Sequence, residues 1–245
     1  MDGLRRAMGF LTIYPLRASD TWTPETLGSS MVYYPVVGLL IGIALWMLHL
    51  MLNTLFPSVV AIVLLLGSLT FMTGGLHLDG LADTIDGLSG GYNREETLHI
   101  FKDSHVGTMA VVSVVLSLLL KYACLSVLSE EAMSPTLLLM GILSRYSMVQ
   151  LACFSPYARA EGGLGEPFVQ GIKPEHFSTA VFITLVLTMV FGGARGVLIW
   201  MLVSLATLSY QTYFRRRLHG ITGDVLGAVN EANEALVLVL ATMVY

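Results

Sequence analysis

Residues 58–91 read SVVAIVLLLGSLTFMTGGLHLDGLADTIDGLSGG. The first part, up to about residue 76, is close to the roughly 20 mainly apolar residues that cross a hydrocarbon core as a helix. The second part carries Asp79, Asp83 and Asp86, with no lysine or arginine between Gly74 and Gly91. A chain that leaves hydrocarbon directly into uncompensated acid has a membrane fold and needs a positive charge from elsewhere.

The composition agrees with the first point. The chain has 245 residues, of which 55% are hydrophobic and 12% charged, and its mean hydropathy is +0.73. Soluble domains carry about 25% charged residues. Half that share places the chain in the membrane class. There is no basic surplus, with a net charge of -4, so nucleic acid is not an expected partner. Cys124 and Cys153 fall inside apolar runs. They read as small apolar filler rather than as a disulfide framework or a thiolate metal site.

Working outward from 58–76, apolar runs near 31–52, 107–128, 135–154, 177–193, 196–213 and, more weakly, 225–244 are the other expected spans. Asn53–Ser58, Ser129–Pro135 and Gly192–Gly196 read as the short turns between neighbours. The expected fold class is an all-α, polytopic membrane bundle of about six or seven helices, forming one domain over 1–245. Within it, 1–30 is an N-terminal interfacial segment, 74–106 an Asp-rich catalytic segment, and 214–234 a second polar motif. The start, MDGLRRAMGFLTIYPLRASD, is basic, but its apolar stretch is broken by Pro15 and Arg17 and no small-residue cleavage site follows. A surface-lying amphipathic segment is expected there, not a cleaved signal peptide.

Charge sets the orientation. Arg5, Arg6, Arg17, Arg94, Lys102, Arg159, Lys173 and Arg215–Arg217 make up ten of the 13 basic residues and all lie in alternate connecting segments. The opposite loops hold only Arg195, and one carries Glu130 and Glu131. The positive-inside rule makes the first set cytoplasmic. The Asp-rich stretch, the 155–176 loop and the 214–231 segment then share the cytoplasmic side. Lys121 and Arg145 remain within spans. Lys121 is expected to snorkel to an interface, and Arg145 is a candidate to meet phosphate.

On a helix, the i, i+4, i+7 spacing of Asp79, Asp83 and Asp86 puts them on one face. Two such charges about 6 Å apart repel by roughly 2–3 kcal/mol at an effective dielectric near 20. They must protonate, point into water or bind a cation. All-oxygen ligands suit Mg²⁺, Mn²⁺ or Ca²⁺, and Mg²⁺ leaves positions for substrate phosphates. A solvated acidic face is the competing reading. Membrane-boundary carboxylates are functional by default, which favours the cation.

Further candidates follow downstream. In FKDSHVGTMA, Asp103 is a metal ligand or base candidate, or an ordinary helix cap, and Ser104 and His105 are substrate-contact candidates. His77 and His105 are candidate proton carriers. Lys102 is a phosphate contact candidate. In RRRLHGITGDVLGAVNEANEA, Asp224 reads as an N-cap and shares a face with Glu231. Tyr157, Glu166 and Phe168 lie in a loop long enough to cover a site. The residues alone thus describe a membrane enzyme that handles phosphate or pyrophosphate through carboxylate-held Mg²⁺.

Four motifs then carry a resemblance: GGLHLDGLADTIDG, KDSHVGT, EGGLGEPF and GITGDVLGAVNE. In that order, and from about Tyr34 to Glu234, the chain resembles the cobalamin synthase family, adenosylcobinamide-GDP ribazoletransferases. The resemblance implies a Mg²⁺-dependent enzyme of the bacterial inner membrane with its site facing the cytoplasm. Its substrates would be adenosylcobinamide-GDP and α-ribazole or α-ribazole 5′-phosphate, and its products GMP and adenosylcobalamin or its 5′-phosphate. Asp79, Asp83, Asp86 and Asp103 are then the expected metal ligands. Asp83, Asp86, Asp103 and His105 are the catalytic candidates. His77, Lys102, Arg145, Asp224 and Glu231 are the expected substrate contacts. Membrane lipid is the expected surround, and a homo-oligomer or a complex with other pathway enzymes is left open. A CDP-alcohol phosphotransferase is the enzymatic rival, although Asp83 stands after Ala82 where that pattern departs. A cation-coupled transporter is the rival of another class.

Overall fold

The computed structural model describes residues 2–14, 22–103 and 105–245. Pro15, Arg17 and Ser104 therefore lie outside the described residues. In chain order the helices are α1 (Asp2–Leu11), α2 (Pro24–Ser30), α3 (Tyr34–Leu55), α4 (Ser58–Met72), α5 (Leu76–Gly90), α6 (Arg94–Ile100), α7 (Thr108–Val127), α8 (Glu130–Cys153), α9 (Glu166–Gly171), α10 (Pro174–Leu218) and α11 (Gly223–Val244). A 3₁₀ turn, Met31–Tyr33, joins α2 to α3. Among the described residues the only β-type pairing is the isolated bridge Tyr157–Ile221.

The chain is a polytopic helical membrane bundle. By length and composition five segments can cross a membrane: Pro24–Leu55, α7, α8, α10 and α11. The bent pair α4 and α5 adds a sixth if it counts as one span. The bend between them is 87°. Gly74 and Gly75, at φ 61° and 70°, make it. Only glycine takes such φ values without steric cost. The break turns α5 nearly at right angles to α4.

A second reversal is hidden inside α10. Gly193 has φ 57° and ψ −146°, which no helix contains. A Cβ on Gly196 would stand 2.8 Å from the carbonyl oxygen of Thr188. Eight residues of straight helix separate such atoms by about 12 Å. The chain therefore doubles back at Gly193, and its two arms are the spans expected at 177–193 and 196–213.

One boundary differs from expectation. Ser129–Pro135 is not a turn, because α8 already begins at Glu130. Ser129 Oγ accepts from Ala132 N at 3.3 Å. Glu130 and Glu131 place negative charge at the positive end of the helix dipole, and Pro135 stands inside the helix, past its first turn.

The centre of the bundle is α8, buried along nearly its whole length and packed against α3, α10 and α11. Gly38 of α3 and Gly141 of α8 meet backbone to backbone, where a Cβ would come within 2.0 Å of a carbonyl. Small residues at such crossings replace the hydrophobic drive that lipid removes. Leu116, Leu119, Val186 and Met201 are exposed on α7 and α10, as lipid-facing side chains are. Outside the core, α1 packs on α2 and α3. Phe10 packs against Phe168 of α9, the rings tilted by 42° with centroids 4.2 Å apart.

Candidate active site

The polar segments expected on one side are stitched together at one end of the bundle. Arg94 Nη2 donates to Ala158 O at 2.6 Å, and Arg94 Nε donates to Leu218 O at 2.9 Å. Arg217 Nη2 donates to Gly91 O at 2.5 Å. Ala158 N donates to Ile221 O at 2.8 Å, and Ile221 N to Pro156 O at 2.9 Å. Arginines that read as topology markers thus hold the loop, α6 and the start of α11 in register.

Glycines bring the acids together. At Gly80 a Cβ would lie 2.7 Å from Asp224 O and 3.1 Å from Gly227 Cα. Helices α5 and α11 therefore cross with their backbones in contact, and Asp79 and Asp83 come beside Asp224. A valine at Gly80 cannot fit. Gly80→Val is expected to part the two helices and to lower turnover at least about 100-fold, since catalytic placement tolerates about 1 Å of error at that cost. Steady-state rates of the purified variant measure this.

Asp83 is the focus of the acidic field. Its carboxyl is half-buried and pushed up to about 6, by burial first, then by the charges of Asp79 and Asp224, with a smaller push from Asp86. The opposing influence is Arg159. Arg159 Nη2 donates to Asp224 Oδ2 at 2.7 Å, and Thr222 Oγ1 donates to the same oxygen at 3.1 Å. Arg159 Nε is buried without a partner, and the guanidinium lies 5.9 Å from the Phe101 ring centroid. Sequence reasoning counted Arg159 only toward orientation. Its place opposite the acids comes from the loop stitching, which no local pattern announces.

Other expected site residues fall elsewhere. Asp86 turns away from the cluster and caps α7: its Oδ2 accepts from Gly107 N at 2.5 Å and its Oδ1 from Ala110 N at 2.8 Å. Asp103 is exposed and closes a local turn with His105, accepting from its backbone N at 3.0 Å and pairing with its Nδ1 at 2.6 Å. These bonds hold the Asp103 carboxyl below its usual range. Asp103 is not among the charges that act on Asp83. Lys102 pairs with Glu161 at the surface. Asp224 is not the N-cap of α11. Thr222 is, accepting from Val225 N at 3.3 Å. That frees the Asp224 carboxylate for Arg159.

Arg145, Lys121 and Glu231 do not face the site at all. Lys121 does not snorkel. Its Nζ donates to Glu231 Oε2 at 2.6 Å and also to Glu234, and Arg145 pairs with Glu234, all inside the bundle. Two cations answer two carboxylates there, so the set closes without phosphate. Above it sits His77, 1% exposed, with neither ring nitrogen hydrogen-bonded. Burial first, then Arg145, drive its pKa down to about 3, so the ring is neutral. In the loop, Phe168 is a buried packing residue, while Tyr157 and Glu166 are half-buried.

Among the described residues no three metal-binding side chains already converge in a ligand geometry. The charge balance nevertheless fits a divalent cation: Asp83 shares one field with Asp79, Asp224 and, more weakly, Asp86, and a single guanidinium opposes these four carboxylates.

A helical bundle spanning the membrane, capped at one end by carboxylates and an arginine, defines a polytopic membrane enzyme with an acidic site. The family model described as cobalamin-5-phosphate synthase matches residues 3–242, and the chain belongs to that family. Its relatives include adenosylcobinamide-GDP ribazoletransferases of Syntrophobacter fumaroxidans, 37% identical over 98% of this chain and 97% of the relative, and of Geotalea daltonii, 41% identical over 95% and 93%. Another, from Pseudomonas entomophila, is 41% identical over 97% of this chain and 98% of its own. No solved structure matches the chain.

Proposed function

We propose that this protein joins the phosphocobinamide part of adenosylcobinamide-GDP to α-ribazole, or to its 5′-phosphate, and releases GMP. The observation that carries the reading is the meeting of Asp79, Asp83 and Asp224 with Arg159 across α5 and α11, within a chain of this family.

The acceptor's ribose hydroxyl oxygen attacks the phosphorus on the corrinoid side. The bond from that phosphorus to the bridging oxygen breaks, and GMP leaves with the bridging oxygen. Asp83, on the α5 face beside Asp79 and Asp224, is placed to take the hydroxyl proton. Asp79, Asp83 and Asp224 would hold Mg²⁺, which supplies neutralising charge to the pyrophosphate. Arg159 holds Asp224 and brings its positive charge to the phosphates. The basic residues gathered at this end support a cytoplasmic site in a bacterial inner membrane.

The test is turnover by purified protein in lipid, reading GMP and corrinoid product. Product formation with Mg²⁺, and its loss in EDTA, is expected. The pH dependence has a definite sign. Asp83's raised pKa means that the cation-free fold keeps its proton up to about pH 6. Cation affinity should therefore fall as pH drops through about 6, by up to about tenfold per unit. The same group makes the cation-free protein less stable as pH rises through that value, and Mg²⁺ should restore the loss. A Mg²⁺ requirement that is flat from pH 5 to 7 would exclude Asp83 from the cation site.

A further inference from the structure

Two hollows flank the site, and one ion pair stands between them. The first is a surface cleft of about 290 Å³ between α6 and residues 158–161, lined by Arg94, His99, Lys102, Arg159 and Glu161 among others. The second is a cavity of about 100 Å³ where α5 meets α11, with Leu76, His77, Met148, Leu164 and Asp224 in its wall. Arg159 lines the first and Asp224 lines the second, and the two side chains are bonded to each other at 2.7 Å.

The two hollows differ in chemistry. The cleft is charged. Lys102 and Glu161 form a pair at its rim and offer a donor and an acceptor side by side. Guanine presents the complement: an O6 acceptor beside N–H donors. The cavity is mainly apolar, with one buried imidazole whose two nitrogens have no partner. A small-molecule site has that pattern of apolar walls and a few aimed polar groups. A buried imidazole with both ring nitrogens unpartnered can serve a ring nitrogen or a sugar hydroxyl.

We propose that the Arg159–Asp224 pair divides the site into two substrate halves: the charged cleft takes the guanosine of the donor, and the apolar cavity takes the benzimidazole-type base of the acceptor. The partition rests on the reaction argued above and deepens it. It places the leaving group and the nucleophile on opposite sides of the reacting phosphorus, as an in-line displacement requires. His77 is then a positioning residue for the acceptor, and the Lys102–Glu161 pair sets the choice of nucleobase.

Two exposed side chains test this without endangering the fold. Leu164 is 81% exposed at the cavity lip, and the Glu161 side chain is 59% exposed. Glu161→Gln should raise the donor KM about tenfold and weaken inhibition by GMP, with the acceptor KM unchanged. Leu164→Ser should raise the acceptor KM by about the same factor and leave the donor KM alone. Calorimetry of GMP alone reads the cleft independently of turnover: binding should weaken in Glu161→Gln and persist in Leu164→Ser. The preference for GMP over AMP should narrow in Glu161→Gln. Both variants shifting the same substrate, or neither shifting any, overturns the partition. The crossed pattern of GMP binding in the two variants, together with no corrinoid product from the wild type, overturns the reaction and leaves the cleft assignment standing.

Discussion

Asp83→Asn abolishes turnover, with a fall of at least about 10³-fold expected in kcat. A positioned general base contributes about 10²–10⁴-fold on its own. Asparagine also halves the oxygen donors that residue 83 offers to a cation. The substitution is nearly isosteric, so the α5–α11 crossing set by Gly80 and Gly227 stays in place. The effect on folding should have the opposite sign. Asp83 is raised to about 6 because burial and three neighbouring carboxylates disfavour its charge. Removing that charge relieves the cation-free protein at pH 7, so its melting temperature in EDTA should hold or rise. Loss of activity together with unchanged or increased stability is the signature of a residue kept for chemistry against the interest of the fold. Residual GMP release above a tenth of wild type would remove Asp83 from both roles. Asp86→Asn should look different. Asp86 accepts two backbone N–H groups at the start of α7, so its loss should lower stability first and activity only as a consequence.

That contrast shows where the sequence could be read and where it could not. The apolar runs and their basic flanks reveal the bundle because hydrocarbon allows only helices whose backbone groups pair internally. Both arms of α10 are legible through the glycines around Gly193. The acidic face of α5 is legible because the i, i+4, i+7 rule is local. What each aspartate does there is not legible, since it depends on the neighbouring helix. Asp79 and Asp83 meet α11, whereas Asp86 meets α7, and only tertiary contact decides between them. Arg159 is silent for the same reason: its role comes from a loop held by Arg94 and by the Tyr157–Ile221 bridge. Charged residues inside spans are the hardest case. Spacing marks Lys121, Arg145 and Glu231 as conspicuous, but it says nothing about whether their partners are phosphate, water or one another. The fully buried Glu234 gave no signal beyond standing three residues after Glu231.

Glu234 is therefore the residue whose removal should most damage the fold. It answers both Lys121 and Arg145 and also accepts from Asn230 Nδ2 at 3.1 Å. All these groups are buried between α7, α8 and α11. Breaking a buried pair by deleting one partner costs about 3–5 kcal/mol, because the other charge stays behind without water. Glu234→Gln leaves Arg145 with Ser144 Oγ but without its carboxylate partner, and leaves Lys121 with Glu231 alone. The expected result is a large drop in melting temperature in detergent and little folded protein recovered from the membrane. Glu231→Gln should cost less, because Lys121 keeps Glu234 and Arg145 is untouched. The ordering Glu234 well above Glu231 is the specific claim. The compensated variant separates charge from shape: Arg145→Met combined with Glu234→Gln leaves Lys121 balanced by Glu231. A balanced replacement is often neutral or stabilising, so much of the lost stability should return. If the double variant is no better folded than Glu234→Gln, the network matters through hydrogen-bond geometry and packing rather than through charge neutrality.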